Sequence, residues 1–179
     1  MFLSPAKDPI GLALYTSFSY DWLDPHSGQD KDSLTLENML VAQKYFLEGQ
    51  LVTMFNVGIE TTFADRHNID VLPPGFAWPT KPEMEIELIT DAGISYRFVP
   101  NWYIGIETLY ETEYETEVGP ERWTLFAGPS LHYGGSRCWA TVTWFPQVVG
   151  GGERYVAQSN NDLHLIEKTK SEVRMKFEF

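Results

Sequence analysis

Apolar and charged residues alternate strictly at the carboxyl end of the chain, in the stretch KSEVRMKFEF. Val173, Met175, Phe177 and Phe179 are apolar, and the residues between them are charged. Successive side chains of a β-strand point to opposite faces of its sheet, so this period predicts a strand with one apolar and one ionised face. The same period of two recurs along almost the whole chain, which restricts the fold to the all-β class.

Eight strand-like runs carry this alternation. A helix competes in one place, because Leu36, Met39, Leu40 and Gln43 would share a helical face. We predict one β-barrel domain over residues 1–179, an up-and-down antiparallel transmembrane barrel with eight strands in this chain. The runs cover residues 11–23, 33–47, 50–64, 82–99, 101–116, 122–134, 137–149 and 162–179.

Short and long connections alternate between the runs. The short ones are LEGQ, VPN and GGSR, and the others are DPHSGQDKD, ADRHNIDVLPPGFAWPTKP, ETEVGPER and VGGGERYVAQSNN. In an up-and-down sheet, alternate connections lie at the same end, so one end carries tight turns and the other carries loops. Outer-membrane barrels have this form, with short periplasmic turns and longer external loops.

The period alone does not decide which face is buried. A soluble barrel or sandwich buries its apolar face, whereas a membrane barrel turns that face to lipid and encloses the polar one. Long strands and small residues on the polar face, such as Gly93, Gly105 and Gly128, favour the membrane barrel. Aromatic residues near the strand ends favour it too, because such rings prefer the headgroup level. This aromatic girdle comprises Phe98, Trp102 and Tyr133 near the short turns, and Trp22, Tyr110 and Trp123 toward the loops; Trp144 is also expected toward the loops.

The carboxyl terminus resembles the terminal signature of bacterial outer-membrane β-barrel proteins, in which alternating apolar residues end in Phe. In those proteins the barrel-assembly machinery recognises the signature, so the resemblance implies that Val173, Met175, Phe177 and Phe179 form an assembly signal. The stretches LYTSFSY, YRFVPNWYIGIETLYETEY, FAGPSLHY and VRMKFEF are also similar to an uncharacterised family of predicted outer-membrane barrels. That resemblance implies no established activity.

Charged residues on the polar face are the most specific functional feature. We expect a lumen that is acidic and partly ion-paired, either a cation-preferring polar path or a plug of paired charges, since eight strands enclose little more than their own side chains. The lumen-facing charges are Glu60, Glu85, Glu87, Asp91, Arg97, Glu107, Glu111, Glu113, Lys168, Lys170, Arg174 and Lys176.

Other chemistry has weaker support. Ser130 and His132 share a face, as the catalytic pair of an outer-membrane hydrolase would. A lumenal histidine that only forms hydrogen bonds is the simpler interpretation. The loops DPHSGQDKD and ADRHNID hold Asp and His without the spacing of a calcium-binding loop. No cofactor fingerprint or zinc pattern occurs, and the net charge of −12 disfavours nucleic-acid binding. We therefore predict a non-enzymatic protein without cofactor or metal.

The expected location is the bacterial outer membrane of a Gram-negative cell, with the lipid bilayer as the main partner. The chain is either a complete small barrel or the carboxyl-terminal part of a larger one; MFLSPAKDPI lacks the features of a signal peptide. The predicted function is a narrow, porin-like polar pore or a structural barrel. A soluble lipocalin-like carrier of small molecules is the alternative, and the solute and the oligomeric state are open.

Overall fold

The computed structural model describes residues 2–23, 30–68, 82–115, 119–152 and 169–177. All eight predicted strands are present, and the only helical element among the described residues is a short 3-10 turn at Leu47–Gly49. The all-β prediction is confirmed. The strands are β1 Gly11–Leu23, β2 Asp30–Phe46, β3 Leu51–Arg66, β4 Glu83–Val99, β5 Trp102–Glu115, β6 Gly119–Gly134, β7 Cys138–Gly152 and β8 Thr169–Phe177.

The eight strands form one antiparallel sheet in chain order, so the up-and-down topology is also confirmed. Residues 36–43, for which the sequence pattern also allowed a helix, lie inside β2. They pair with β1 on one side and with β3 on the other. Within the described ranges, β1 and β8 each have one neighbouring strand and do not pair with each other. The sheet is therefore open between these two edges.

Tight turns occur where the sequence predicted them. Leu47, Glu48 and Gly49 have positive φ angles between β2 and β3, and Asn101 has a φ of 69° between β4 and β5. Glycine adopts this region without a steric cost, and asparagine adopts it more readily than most residues. The Arg97 amide donates to the Gln50 carbonyl at 2.8 Å, which ties the first turn to β4. A three-residue link, 135–137, joins β6 to β7.

One connection differs from the prediction. ETEVGPER was expected to be a loop, but β5 runs to Glu115 and β6 begins at Gly119, and these two residues pair. A register shift between Glu113 and Tyr114 accommodates Pro120 opposite Tyr114. A bulge is one of the few places where a strand accepts proline, so the pairing continues past the point where the sequence suggested that it would stop.

The two faces of the sheet differ in burial. The inner face is defined as the one that carries Glu60, Asp91 and Glu107. The outer face is the one that carries Phe18 and Ile106. Large apolar residues on the outer face are strongly exposed, with 67% of Phe18 and 62% of Ile106 accessible. The described part of the chain contains no helix that is both long and apolar enough to cross a membrane. With Thr112 as the exception, the buried side chains lie on the inner face: Asn56, Ala64, Thr124, Phe126, Ser130, Thr143, Phe145 and Gln147.

The β6–β7 ladder is interrupted at its two prolines. Pairing stops after Phe126 and Gln147 and resumes at Ser130 and Thr143 in the same register. The interruption contains Pro129 and Pro146, which have no amide hydrogen to donate. Their missing amide hydrogens thus account for the break in the ladder.

Candidate functional site

A row of four glutamates crosses the inner face. Glu37 pairs in register with Glu60, Glu60 with Glu87, and Glu87 with Glu113, on the four successive strands β2 to β5. Neighbouring strands are about 4.8 Å apart, so each carboxylate lies beside another of the same charge. On β6 the row ends at Arg122, which is in register with Glu113 and forms an ion pair with it. We call these four acids the glutamate row.

The other charges on β4 and β5 that were predicted to face the lumen also lie on the inner face. Glu85, Glu87, Asp91 and Glu111 each interact with other residues of the protein. Of the basic residues predicted on the last strand, Lys170, Arg174 and Lys176 lie in register with Phe145, Thr141 and Trp139 of β7, and Lys168 lies outside the described residues. Of the charges predicted to face the lumen, the half-buried ones on the inner face are Glu60, Glu85, Glu87, Asp91, Arg97, Glu107, Glu111 and Glu113.

Glu107 lies in a slot between two glycines. Gly93 of β4 and Gly128 of β6 flank it in register, and neither has a side chain to fill the space above the sheet. The Thr143 hydroxyl of β7 donates to Glu107 Oε2 at 3.4 Å, across the intervening strand β6. This contact between strands two apart shows that the inner face is concave here.

The inner face is most tightly packed near the middle of β6 and β7. Phe126 is fully buried, and its register partner Gln147 is 8% exposed. Asn56 is also 8% exposed and donates through Nδ2 to Asp91 Oδ1 at 2.7 Å. Both polar atoms of Gln147, together with Asn56 Oδ1, lack a hydrogen-bond partner among the described residues. Buried polar atoms of this kind usually bond to ordered water.

A cavity of about 740 Å³ opens on the inner face at the short-turn end. Side chains from five strands and from the Leu47–Gly49 turn line it, among them Gln43, Ser95, Arg97 and His132. His132 Nδ1 is hydrogen-bonded to the Thr141 hydroxyl at 2.7 Å. We call this space the mouth cavity.

A second polar cluster lies at the loop end, beyond the cross-strand pair of Leu34 with Phe63. The Tyr20 hydroxyl donates to Asp32 Oδ1 at 2.5 Å, and His67 Nε2 is 3.1 Å from Asp32 Oδ2. These two hydrogen bonds, with that from Tyr20 the larger effect, hold the pKa of the Asp32 carboxyl below its ordinary value. Both hydrogen bonds lie in an exposed part of the sheet, so the cluster belongs to its surface.

The geometry lends no support to the chemistry for which the sequence gave weaker signals. His132 is hydrogen-bonded to Thr141, and no hydrogen bond joins it to Ser130 in the described part of the chain. The described residues also contain no group of three or more His, Cys, Asp or Glu side chains able to hold a metal ion. From the two loops considered as calcium sites, Asp24, His26 and Asp70 lie outside the described residues. His164, the other histidine considered for a hydrolase, also lies outside the described residues.

The aromatic residues of the predicted girdle pair across strands. The Trp102 and Tyr133 rings are 5.1 Å apart near the short turns, and the Tyr110 and Trp123 rings are 6.2 Å apart toward the loops. The prediction for Trp144 was wrong, because it pairs with Ser171 midway along β7. The accessible fractions of the other girdle residues are 66% for Trp22 and 50% for Phe98.

The predicted assembly signal lies on the last strand. Val173, Met175 and Phe177 pair in register with Val142, Ala140 and Cys138 of β7. Phe179 lies outside the described residues. The backbone of this segment therefore has the extended conformation that the alternating pattern predicts.

Comparison with curated proteins and with solved structures found no match for this chain. A family model does match, over residues 1–179, and its description is "Family of unknown function (DUF6662)". Because the match covers the whole sequence, the chain belongs to this family of unknown function, DUF6662.

Proposed function

We propose that this chain forms a non-enzymatic β-barrel in the outer membrane of a Gram-negative bacterium, with a narrow polar path through an acidic, partly ion-paired lumen. One observation carries the proposal. The exposed outer face is apolar, and the buried inner face is largely polar. This arrangement is the reverse of a soluble β-protein and is typical of a sheet whose outer face meets lipid.

The exposed apolar surface argues against a soluble carrier. Leu14, Phe55, Ile94, Ile104 and Val142 of five different strands are 48–55% accessible on the same face. Soluble monomers rarely expose a continuous apolar patch of more than a few hundred Å². A lipocalin-like carrier would instead direct these residues into its cavity.

The spacing of the aromatic pairs fits a bilayer. Trp123 is in register with Thr112, which lies ten residues along β5 from Trp102. At about 3.4 Å per residue and a tilt of about 40°, the two levels are separated by about 25 Å along the membrane normal. An apolar band of about this height between aromatic girdles is expected for an outer-membrane barrel.

Closure of the sheet is part of the proposal. A bilayer does not tolerate open sheet edges, because their amide and carbonyl groups would lack hydrogen-bond partners. β1 and β8 run antiparallel to one another, since eight strands alternate in direction. These two edges could pair with each other, or each could pair with further strands of a larger barrel. Either arrangement would give the amide and carbonyl groups of both edges hydrogen-bond partners.

The lumen gives the proposed path its selectivity. The glutamate row places like charges on four adjacent strands, with the ion pair at Arg122 offsetting one of them. A narrow channel with low-dielectric walls concentrates the field of such charges. We therefore expect the path to prefer cations.

A gel-shift measurement tests the barrel. The chain is refolded into detergent or lipid vesicles and compared on SDS gels with and without boiling. A folded membrane barrel resists SDS until heated, so the unboiled sample is expected to migrate differently. A chain that folds in plain buffer and shows no shift would overturn the proposal in favour of the soluble carrier.

Conductance across a planar bilayer tests the lumen. The reversal potential in a KCl gradient is expected to indicate cation preference, and Glu60→Gln with Glu87→Gln is expected to reduce it. Asp65→Asn is the control, because it removes one exposed acid outside the glutamate row. Anion preference, or selectivity that the double variant leaves unchanged, would contradict the acidic path. An insulating barrel with a normal gel shift would identify the lumen as a plug.

A further inference from the structure

A second cross-strand row lies at the short-turn end and has a different composition from the glutamate row. Arg97 of β4 pairs with Tyr103 of β5, Tyr103 with His132 of β6, and His132 with Thr141 of β7. The next register position, on β8, is Arg174. The row thus contains two arginines, two aromatic rings and a threonine, and no carboxylate. We call it the arginine row.

Three members of the arginine row form one wall of the mouth cavity. Arg97, Tyr103 and His132 all line this space, and the Tyr103 and His132 rings are 5.7 Å apart at an angle of 60°. The hydrogen bond with Thr141 occupies His132 Nδ1, and His132 Nε2 approaches Gly134, which also lines the cavity. The second ring nitrogen is therefore on the side of the cavity.

The cavity lining also includes residues from before β1. Residues 2–10, which we call the N-terminal hook, fold back so that Leu3 and Leu12 exchange backbone hydrogen bonds of 3.2 and 3.0 Å. Pro5 and Ala6 of the hook line the cavity, and Pro5 packs against Gly11 so closely that a Cβ atom there would lie 2.6 Å from it. The hook thus contributes to the cavity lining.

We infer that the mouth cavity binds a small organic anion, with its carboxylate on the Arg97 guanidinium and its apolar part against the Tyr103 and His132 rings. The inference rests on the proposed function only in placing the cavity at one mouth of a lumen; binding requires the fold alone. The volume falls within the usual range for sites of small organic ligands, about 300–1,000 Å³.

The charges around the cavity favour an anion. Arg97 is half-buried, and among the side chains that the structure describes no carboxylate forms an ion pair with it. Glu48 lines the cavity but lies exposed on the turn, and Glu107, deeper on the inner face, is hydrogen-bonded to Thr143. A guanidinium binds carboxylates in a bidentate fork and also stacks on rings, so an aromatic carboxylate suits both features of the wall.

Binding is measured by titration calorimetry with benzoate, benzamide and benzylamine on the folded protein, in detergent if the gel shift occurs and in plain buffer if the chain folds there without one. Benzoate is expected to bind saturably, and both the uncharged amide and the cationic amine at least about tenfold more weakly. This comparison needs no variant. No saturable binding of benzoate, or equal binding of all three probes, would overturn the inference.

Variants then test the position of the site. Arg97→Gln is expected to weaken benzoate binding at least about tenfold, and Arg97→Lys by less, because it keeps the charge but not the fork. Lys44→Gln is the matched control, since it removes one positive charge near the same end but on the outer face, over the Phe46 ring. Unchanged affinity in Arg97→Gln would place the anion elsewhere and refute the site.

The two proposals fail in different ways. A chain that folds in buffer without a gel shift yet binds benzoate through Arg97 would keep the site and refute the membrane barrel. A chain with a normal gel shift that binds no benzoate would keep the barrel and refute the site.

Discussion

Oε2 of Glu113 accepts a hydrogen bond from Nε of Arg122 on the neighbouring strand, and Nη2 of the same guanidinium forms an ion pair with it. Glu113 is the last member of the glutamate row, and Arg122 follows it in register on β6. Both side chains are less than one-third exposed, so water screens the pair only partly. The row therefore relies on this arginine for local charge compensation.

Replacement of Arg122 by Gln is expected to destabilise the folded protein by about 1–3 kcal/mol, because it leaves a partly buried carboxylate without its partner. The measurement is guanidinium unfolding in lipid vesicles, followed by tryptophan fluorescence. The double variant Arg122→Gln with Glu113→Gln is expected to recover part of the loss. If the double variant loses as much unfolding free energy as the two single variants added together, the two side chains are not coupled.

Gly128 is predicted to be intolerant of a side chain. A Cβ atom there would overlap the Trp144 carbonyl group, which belongs to the backbone and cannot rotate away. We expect Gly128→Ala to cost about 2 kcal/mol or more in the same unfolding assay, since overpacking forces backbone shifts. Gly93→Ala is the control on the other side of Glu107, where the nearest atom, at 3.2 Å, is Cγ of that flexible side chain. Equal stability of the two variants would contradict the close approach.

The strands could be predicted from the sequence because burial acts on alternate residues, so the period of two is written along each run. The end of β5 could not, because the pairing of Glu115 with Gly119 depends on a bulge beside Pro120. Local propensity treats Gly and Pro as turn residues and takes no account of the neighbouring strand that continues the ladder.

The inner-face charges could be assigned to a face, but their alignment into rows could not. Alignment depends on the register of each strand pair, and only tight turns fix register locally. The Leu47–Gly49 turn sets Phe46 opposite Leu51 and so aligns Glu37 with Glu60. Alignment of Arg97 with Tyr103 additionally requires the shift between Arg97 and Val99, for which the sequence carries no clear signal.

The Asp32 cluster predicts a pH response at the loop end. Because its pKa is lower in the folded chain, the Asp32 carboxylate stabilises the fold above its unfolded pKa, and that contribution is lost as the pH falls through the folded value. Tyr20→Phe removes the larger of the two hydrogen bonds, so the folded pKa of Asp32 should rise toward its unfolded value, and the loss of stability should be smaller and complete at a higher pH. Carboxyl ¹³C NMR titration in micelles measures the pKa of Asp32, with Tyr15→Phe as the control. An unchanged Asp32 titration midpoint would exclude a role for Tyr20.

Phe179 is predicted to act in assembly and not in stability. If the terminal stretch is the assembly signal, Phe179→Ala or its deletion should reduce insertion into the outer membrane of cells by severalfold. The same variant should refold in vitro with a normal gel shift, because no assembly machinery takes part there. Phe2→Ala, at the exposed start of the N-terminal hook, is the control. Normal insertion of the Phe179 variant would refute the signal.

Ile106 offers the sharpest distinction between a membrane barrel and a soluble sheet. It is 62% exposed on the outer face and lies between the two aromatic levels of β5. In a bilayer, Ile106→Arg should destabilise the protein by about 2–4 kcal/mol, whereas Val99→Arg near the short turns should cost about 0–1 kcal/mol, because the penalty falls toward the interface. In a soluble protein both changes affect exposed residues and should stay within about 0.5 kcal/mol. Unfolding titrations in vesicles of both variants therefore decide between lipid and water at this face, and equal small effects would refute the membrane barrel.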